Sequence, residues 1–303
     1  MFPVKSATAL SLLSILTQVH TQEILGCADL NCPLDGTYKC HLADATYSNV
    51  GLAEIPDVPA ALNGLSLLKA VRVTNAEQVG GNSTNPDDVP YQSSYFLSIP
   101  EGINTDDVSG CAVIFNDSPG DFGGDDLQTA TGTCPDIIEQ SCIDALVQRA
   151  SEGTGGNCDA LDRSLRENAI EECANFSGDG NGLGNFSVAS LSDLSTISGA
   201  QNGSSDCWPT REEDGLAVVR EEVVFSEFTD AEALKQLFKV TPILTVFPGD
   251  GDSDASAQLT CLKVVEVIED EGGEGGDDAG ALFSANMLTM ASGVVASVLF
   301  ALL

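Results

Sequence analysis

The sequence predicts an α+β fold of mainly antiparallel, sandwich-like β-structure, with a disulfide-stapled helical hairpin inserted into it. Three observations support this prediction. Segments rich in β-branched and aromatic residues come both before and after a helical region. They do not alternate with helices as the strands of a parallel sheet do. The ten cysteines, an even number, provide for a framework of bridges.

The predicted strands form two groups separated along the chain. The first group is residues 65–74, 94–99 and 111–115, within a strand-rich region at 27–117. The second group is residues 216–225, 243–247 and 259–267, and Pro242 and Pro248 bracket its middle member. We expect distant strands such as 65–74 and 259–267 to share one sandwich.

Two helices are predicted between residues 135 and 175, in a hairpin at about 134–176. Apolar residues recur at helical spacing in both halves, and glycines separate them near residue 154. Thr133 is the expected cap of the first helix, with Pro135 in its first turn. Antiparallel helices could pair Cys142 with Cys158 and Cys134 with Cys173. Cys134 and Cys142 are 8 residues apart, and Cys158 and Cys173 are 15 apart, which is about 12 and 22 Å along ideal helices. If the inner pair forms, the outer pair therefore requires Cys134 or Cys173 to lie off the end of its helix. We expect the Cys142–Cys158 bridge.

Both ends of the chain resemble processing signals. Lys5 precedes a short apolar run, which predicts a signal peptide at residues 1–21. Small residues at 278–280, a weakly polar spacer and an apolar tail at 287–303 predict a glycosylphosphatidylinositol (GPI) attachment signal. Asp278 is the predicted lipid attachment site. The predicted parts are then a secreted ectodomain at 22–268, an acidic glycine-rich stalk at 269–278 and a removed propeptide at 279–303.

The composition is strongly acidic. The formal charge is −34, and it becomes −35 after loss of Lys5, with 46 acids against 11 bases. Such a charge repels nucleic acid, so no nucleic-acid partner is expected. The predicted partners are the membrane, through a GPI lipid, and cell-wall polysaccharide or surface proteins.

All ten cysteines lie in the predicted mature region, where an oxidising compartment favours five disulfides. They are Cys27, Cys32, Cys40, Cys111, Cys134, Cys142, Cys158, Cys173, Cys207 and Cys261. Zinc is disfavoured because the chain has no CxxC pair and His41 is the only histidine after processing. Five sequons predict N-glycans at Asn82, Asn116, Asn175, Asn185 and Asn202. The last three lie in or beside a segment at about 177–206 that we predict to be an exposed, glycosylated loop.

No residue set in the sequence predicts a catalytic site or a cofactor. A nucleophilic triad would have to use His41, which follows Cys40 directly. Asp250, Asp252 and Asp254 alternate and are weak candidates for calcium, but the EF-hand pattern fails and a solvated turn is favoured. Paired carboxylates remain available among the 46 acids.

Several short motifs carry a resemblance that covers most of the predicted mature chain. They begin at Leu30 (LNCP), Gly110 (GCAVIF), Thr241 (TPILTV) and Gln258 (QLTCL). The combination resembles uncharacterised cysteine-rich, GPI-anchored surface proteins of filamentous fungi. The resemblance implies location and architecture and carries over no catalytic residue.

Two functions follow as expectations. The favoured one is a non-catalytic, GPI-anchored glycoprotein of the extracellular face of the plasma membrane or of the cell wall, with a structural, adhesive or shielding role. The alternative is an anchored glycosidase or transglycosylase that uses paired carboxylates. A cleft with two facing acids and Trp208 or tyrosines on its wall would favour the enzyme.

Overall fold

The computed structural model describes most of the predicted ectodomain. The described residues are 24–26, 40–42, 45–75, 79–80, 83, 85, 87–117, 132–152, 156–178, 180, 182–197, 215–249 and 255–265. Within them, the chain forms two four-stranded antiparallel sheets, three α-helices and several short 3-10 turns. The predicted α+β fold of mainly antiparallel β-structure is confirmed.

The first sheet has the order β3-β4-β5-β8, and every neighbouring pair is antiparallel. Its strands are β3 (Asn49–Glu54), β4 (Ser66–Val73), β5 (Asp88–Ile99) and β8 (Gly215–Glu227). A separate hairpin, β1 (Cys40–Leu42) and β2 (Ala45–Tyr47), precedes it in the chain.

The second sheet has the order β10-β9-β6-β7, also antiparallel throughout. Its strands are β6 (Cys111–Phe115), β7 (Phe186–Ser190), β9 (Thr241–Phe247) and β10 (Ser256–Leu262). Strands β6 and β9 are buried at every position. A strand buried on both faces reads as a continuous apolar run, which is why these two segments were predicted closely from sequence.

The two sheets pack face to face over one core. In β4, Leu67 points into the core shared with β6 and β9, whereas Leu68 and Ala70 join a second cluster on the outer face with Tyr47 of the β1–β2 hairpin. Successive side chains of a strand point to opposite faces, so β4 is apolar on both. The chain after β10 also pairs with the first sheet, through an isolated bridge between Val50 and Val265. The prediction that distant strands share a sandwich is confirmed.

The helices are α1 (Gln140–Ser151), α2 (Cys158–Glu167) and α3 (Asp230–Phe238). The side chain of Asn157 caps α2, and that of Thr229 caps α3. Thr133 caps only the 3-10 turn Cys134–Asp136, and α1 begins later, at Gln140. The predicted cap residue is therefore right for a turn and wrong for the first helix. None of the helices within the described ranges is long and apolar enough to cross a membrane.

The predicted Cys142–Cys158 bridge is wrong, and its outer companion, Cys134 with Cys173, does not form either. The structure joins Cys142 to Cys173, Cys111 to Cys158 and Cys134 to Cys261. The reason is the packing of the helices, because α1 and α2 lie against the second sheet and their cysteines face its strands. Two bridges fix the helical region to β6 and β10, and the third joins α1 to the 3-10 turn Glu171–Cys173 after α2.

Cys40 is also disulfide-bonded, whereas Cys27, Cys32 and Cys207 lie outside the described residues. The cysteines that the structure describes include no free thiol.

The predicted loop at about 177–206 contains a strand. Phe186 and Val188 of β7 pair with Phe115 and Val113 of β6. The rings of Phe115, Phe176 and Phe186 pack together, with Phe115 4.8 Å from Phe176 and 5.7 Å from Phe186 between centroids. This short strand was not predicted because the segment around it is polar in composition. The packing of the three rings holds it against β6.

Candidate functional site

Three of the sequence-predicted glycosylation sites fall in the described residues. Asn175 and Asn185 are exposed, and Asn116 is partly buried. Asn82, Asn202 and the predicted attachment site Asp278 lie outside the described residues. So do the calcium candidates Asp250, Asp252 and Asp254, and so does Trp208.

Metal-ligating residues do not gather within the described part of the chain. No group there brings together three or more His, Cys, Asp or Glu side chains in a position to hold a metal ion. The most distinctive feature is instead a polar cleft.

The cleft has a volume of about 980 Å³ and lies where the edges of the two sheets meet helix α3. Strand β5 supplies Tyr91, Ser93 and Tyr95, which alternate along one face. Strand β8 supplies residues 220–224, and the C-terminal half of α3 with the residues after it forms another wall. The end of β6 and the turn before β7 complete it.

Basic residues concentrate in this cleft although the protein is acidic. Lys69, Arg220, Lys235 and Lys239 line it, four of the twelve Lys and Arg residues in the chain. Carboxylates from both sheets accompany them, so the cleft is close to electrically balanced while the protein as a whole is not.

Glu222 joins the edges of the two sheets. Its Oε1 atom accepts hydrogen bonds from Ser187 Oγ of β7 at 2.6 Å and from Asn116 Nδ2 after β6 at 3.2 Å. Arg220 Nε lies 3.8 Å from the same oxygen. The carboxylate is only 15% exposed, and these donors hold it in place.

Lys239 joins the end of α3 to the end of β6. Its Nζ donates to the carbonyl oxygen of Asn116. Burial lowers the pKa of the Lys239 ammonium, and the nearby carboxylates of Asp117 and Glu222 oppose that shift. Asp117 Oδ2 in turn accepts the backbone N–H of Asn185 at 2.6 Å. The acids of the cleft thus hold together segments that are distant in sequence.

Lys69 is a buried cation beneath the cleft, and its side chain is 1% exposed. Its Nζ donates to the carbonyl oxygen of Lys239 at 2.6 Å and to Thr241 Oγ1 at 2.9 Å. The hydroxyl of Tyr95 lies 3.4 Å from Thr241 Oγ1. Burial, with a smaller contribution from Glu222, raises the pKa of the Tyr95 phenol. These contacts join Lys69, Thr241 and Tyr95 in a hydrogen-bonded layer at the base of the cleft.

Tyr91 differs from its neighbours because its hydroxyl has no partner. The residue is 2% exposed, and no described donor or acceptor lies within hydrogen-bond distance of the buried oxygen. Its ring packs against Leu237 and Phe238 of α3 and Val71 of β4. Burial, together with the charge of Glu232, raises the pKa of the Tyr91 phenol to about 12.

The arrangement provides hydrogen-bond donors and acceptors but no exposed aromatic platform. Asp117 and Glu222 share the cleft, yet an oxygen of each already accepts a hydrogen bond from a neighbouring segment. Tyr91 and Tyr95 border the cleft, but their rings are buried at 2% and 3% exposure. Glycan-processing sites stack sugars on accessible rings, which these two tyrosines do not offer.

Sequence reasoning missed this cleft, although two patterns pointed to it. Lys69 interrupts the apolar run of β4, and a lysine at an inward position of a buried strand requires buried partners. Tyr91, Ser93 and Tyr95 alternate along β5, which places their side chains on one face.

The fold and its bridges define the class of this protein as a disulfide-stapled antiparallel sandwich with a polar cleft at one edge. Comparison of the chain with models of protein families, with curated proteins and with solved structures finds no match.

Proposed function

We propose that the protein is a non-catalytic, GPI-anchored glycoprotein of the cell surface or cell wall, with an adhesive or structural role. The observation that carries this proposal is the covalent framework. Three bridges tie both helices α1 and α2 into the fold, and such a framework persists in oxidising, extracellular compartments. It agrees with the signal peptide and lipid attachment predicted from the two ends of the chain.

The cleft supports a binding role rather than catalysis. Glycoside hydrolysis needs one carboxyl group to transfer a proton and a second to attack or to activate water. Here Glu222 and Asp117 accept bonds that fix β7 and the preceding turn to the rest of the sandwich. Their geometry holds segments of the sandwich together, and the donors that face solvent on the cleft wall are those of Arg220 and Lys235.

Anchoring is tested by releasing the protein from intact cells. Phosphatidylinositol-specific phospholipase C, with base deacylation if the inositol is acylated, should move the protein into solution. Peptides from 287–303 should be absent from the released form. A protein that stays in the membrane and retains those peptides would show that it is held by a protein segment.

The enzyme alternative rests on one observation, the presence of Asp117 and Glu222 in the same cleft. Incubation of the purified protein with glucan, chitin and mannan, followed by product analysis, distinguishes the two. We expect no turnover. Turnover that is abolished by Glu222→Gln, and retained by Glu221→Gln on the adjacent position of β8, would establish the enzyme and end the non-catalytic proposal.

A further inference from the structure

The open wall of the cleft presents hydrogen-bond donors and acceptors to solvent. Lys235 is 71% exposed and Arg220 is 48% exposed. Gln236 lies beside them on α3, and Asp117 faces the cleft from the end of β6. This mixture of both kinds of polar group suits a ligand whose own groups both donate and accept.

The charge balance favours a neutral ligand over an anion. Lys69 and Lys239 are already bonded to carbonyl and hydroxyl oxygens. Arg220 and Lys235 each lie within 4 Å of a glutamate. A phosphate or a polyanion would therefore be repelled by the carboxylates of the cleft as well as attracted by its cations. The hydroxyl groups of a polyhydroxylated ligand, in contrast, can accept hydrogen bonds from the cations and donate them to the carboxylates.

The hydroxyl of Tyr91 is the second, independent observation. A buried hydroxyl without a partner costs about 1–3 kcal/mol, and such a group in a native structure requires an explanation. Tyr91 borders the cleft and all its described neighbours leave the oxygen unbonded. A ligand hydroxyl that enters the cleft would supply the missing bond after a small shift of the side chain.

Two sequon asparagines also lie on the cleft wall. Asn116 uses its Nδ2 atom to bond Glu222, and this is the atom to which an N-glycan is attached. Asn185 is exposed, and its backbone is held by Asp117 at the rim. A glycan on Asn185 would therefore leave the chain at the mouth of the cleft.

We propose that the cleft binds a saccharide through hydrogen bonds, either the glycan carried by Asn185 or a glycan from outside the protein. This inference rests on the proposed function as a surface glycoprotein. Tyr91 and Tyr95 are too deeply buried for a sugar to stack on their rings, so at the described lining residues hydrogen bonds in competition with water set the affinity. We expect a dissociation constant on the order of millimolar for a free disaccharide.

Binding is measured on the full chain, expressed and glycosylated in a eukaryotic host, beside an Asn185→Gln variant. The probes are N,N′-diacetylchitobiose, which matches the first two sugars of an N-glycan, and laminaritriose, which represents an external glucan. Occupation by the protein's own glycan predicts that diacetylchitobiose binds the Asn185→Gln variant and not the wild type. An external source predicts that laminaritriose binds both proteins equally.

Tyr91→Phe identifies the site, with Tyr47→Phe as a matched control. Tyr47 donates its hydroxyl to Ser94 on the opposite face of the first sheet. On the Asn185→Gln background, Tyr91→Phe should weaken saccharide binding about fivefold, the effect of one hydrogen bond, and should keep or raise the melting temperature. Tyr47→Phe should lower the melting temperature and leave binding unchanged.

Failure of both probes to bind either protein overturns the saccharide proposal. Equal loss of binding in the two tyrosine variants would place any binding elsewhere and also overturns it. Phospholipase release does not depend on this cleft, so the proposed surface function fails or survives separately.

Discussion

Removal of the Cys142–Cys173 bridge should be one of the most damaging changes in the helical region. The double variant Cys142→Ala/Cys173→Ala deletes a cross-link between the first turn of α1 and the 3-10 turn after α2. Both cysteines are buried, at 2% and 1% exposure. The two alanines fit the space without introducing polar groups, so the main loss is the constraint on the unfolded chain.

The size of the effect follows from the loop that the bridge closes. The two cysteines are 31 residues apart. The alternative covalent paths, through the Cys111–Cys158 bridge or the Cys134–Cys261 bridge, are both longer. The closed loop is therefore set by the sequence separation even when the other bridges are intact. Chain-entropy arguments give a loss of about 4 kcal/mol in the free energy of unfolding. For a domain of this size that corresponds to a fall of about 10 °C in the melting temperature.

Calorimetric or denaturant unfolding of the secreted protein measures this loss. Val147→Ala is the control, because it removes apolar volume from a partly buried position of α1 and keeps the bridge. Non-reducing peptide maps after cleavage at acidic residues separate Cys142 from Cys158, which are flanked by different acids. A loss below about 1 kcal/mol would contradict the stabilising role of this bridge, and a peptide that joins Cys142 to Cys158 would contradict the pairing itself.

Three further changes test the packing and the electrostatics of the sandwich. Gly51→Ala should cost about 1–3 kcal/mol of stability, because a Cβ there would collide with a backbone carbonyl after β10. The control Gly215→Ala meets only ordinary contacts and should change stability little. Equal melting temperatures of the two variants would contradict this prediction. Lys69→Met should destabilise the fold by about 2–4 kcal/mol by leaving buried acceptors without a donor, while the exposed control Lys235→Met should be neutral in denaturant unfolding. The pKa of the Tyr91 phenol is raised to about 12 in the folded protein. As pH rises above 10, this phenol therefore ionises in the unfolded chain before it ionises in the folded protein. The free energy of unfolding should fall by about 1.4 kcal/mol per pH unit between pH 10 and 12. Ultraviolet titration of phenolate measures the pKa of Tyr91. If Tyr91→Phe leaves the loss of stability per pH unit unchanged, Tyr91 is not the group responsible.

The strands that sequence reasoning identified include fully buried and half-exposed ones, and β6, which is buried at every position, was placed without error in its bounds. Residues 111–115 and 243–247 were predicted as strands, and β6 and β9 are observed at Cys111–Phe115 and Thr241–Phe247. An apolar run of this length bounded by turn residues has few other structures available to it. One short strand of the second sheet gave a weaker pattern and was missed. β7 (Phe186–Ser190) lies among glycines, serines and asparagines, and only Phe186 in it is buried.

Helix α3 was missed for a related reason. It is 9 residues long, and it lies between two predicted strands. A segment so short barely completes two turns, so its periodicity is faint, and its stability comes from packing against Val71 and Tyr91. The residues at its start are nevertheless typical of a helix N-terminus, because Thr229 occupies the cap position and Asp230 lies in the first turn.

The sequence by itself determined the fold class, the two groups of strands, the helical region and the capacity for disulfides. These properties depend on local apolar patterns and on composition, which neighbouring residues carry. Only the tertiary structure decided which cysteines pair, because pairing requires the distance between elements far apart in the chain. For the same reason the folded chain was needed to show that Lys69, Tyr91, Glu222 and Lys239, from three strands and the residue after α3, meet in one polar cleft.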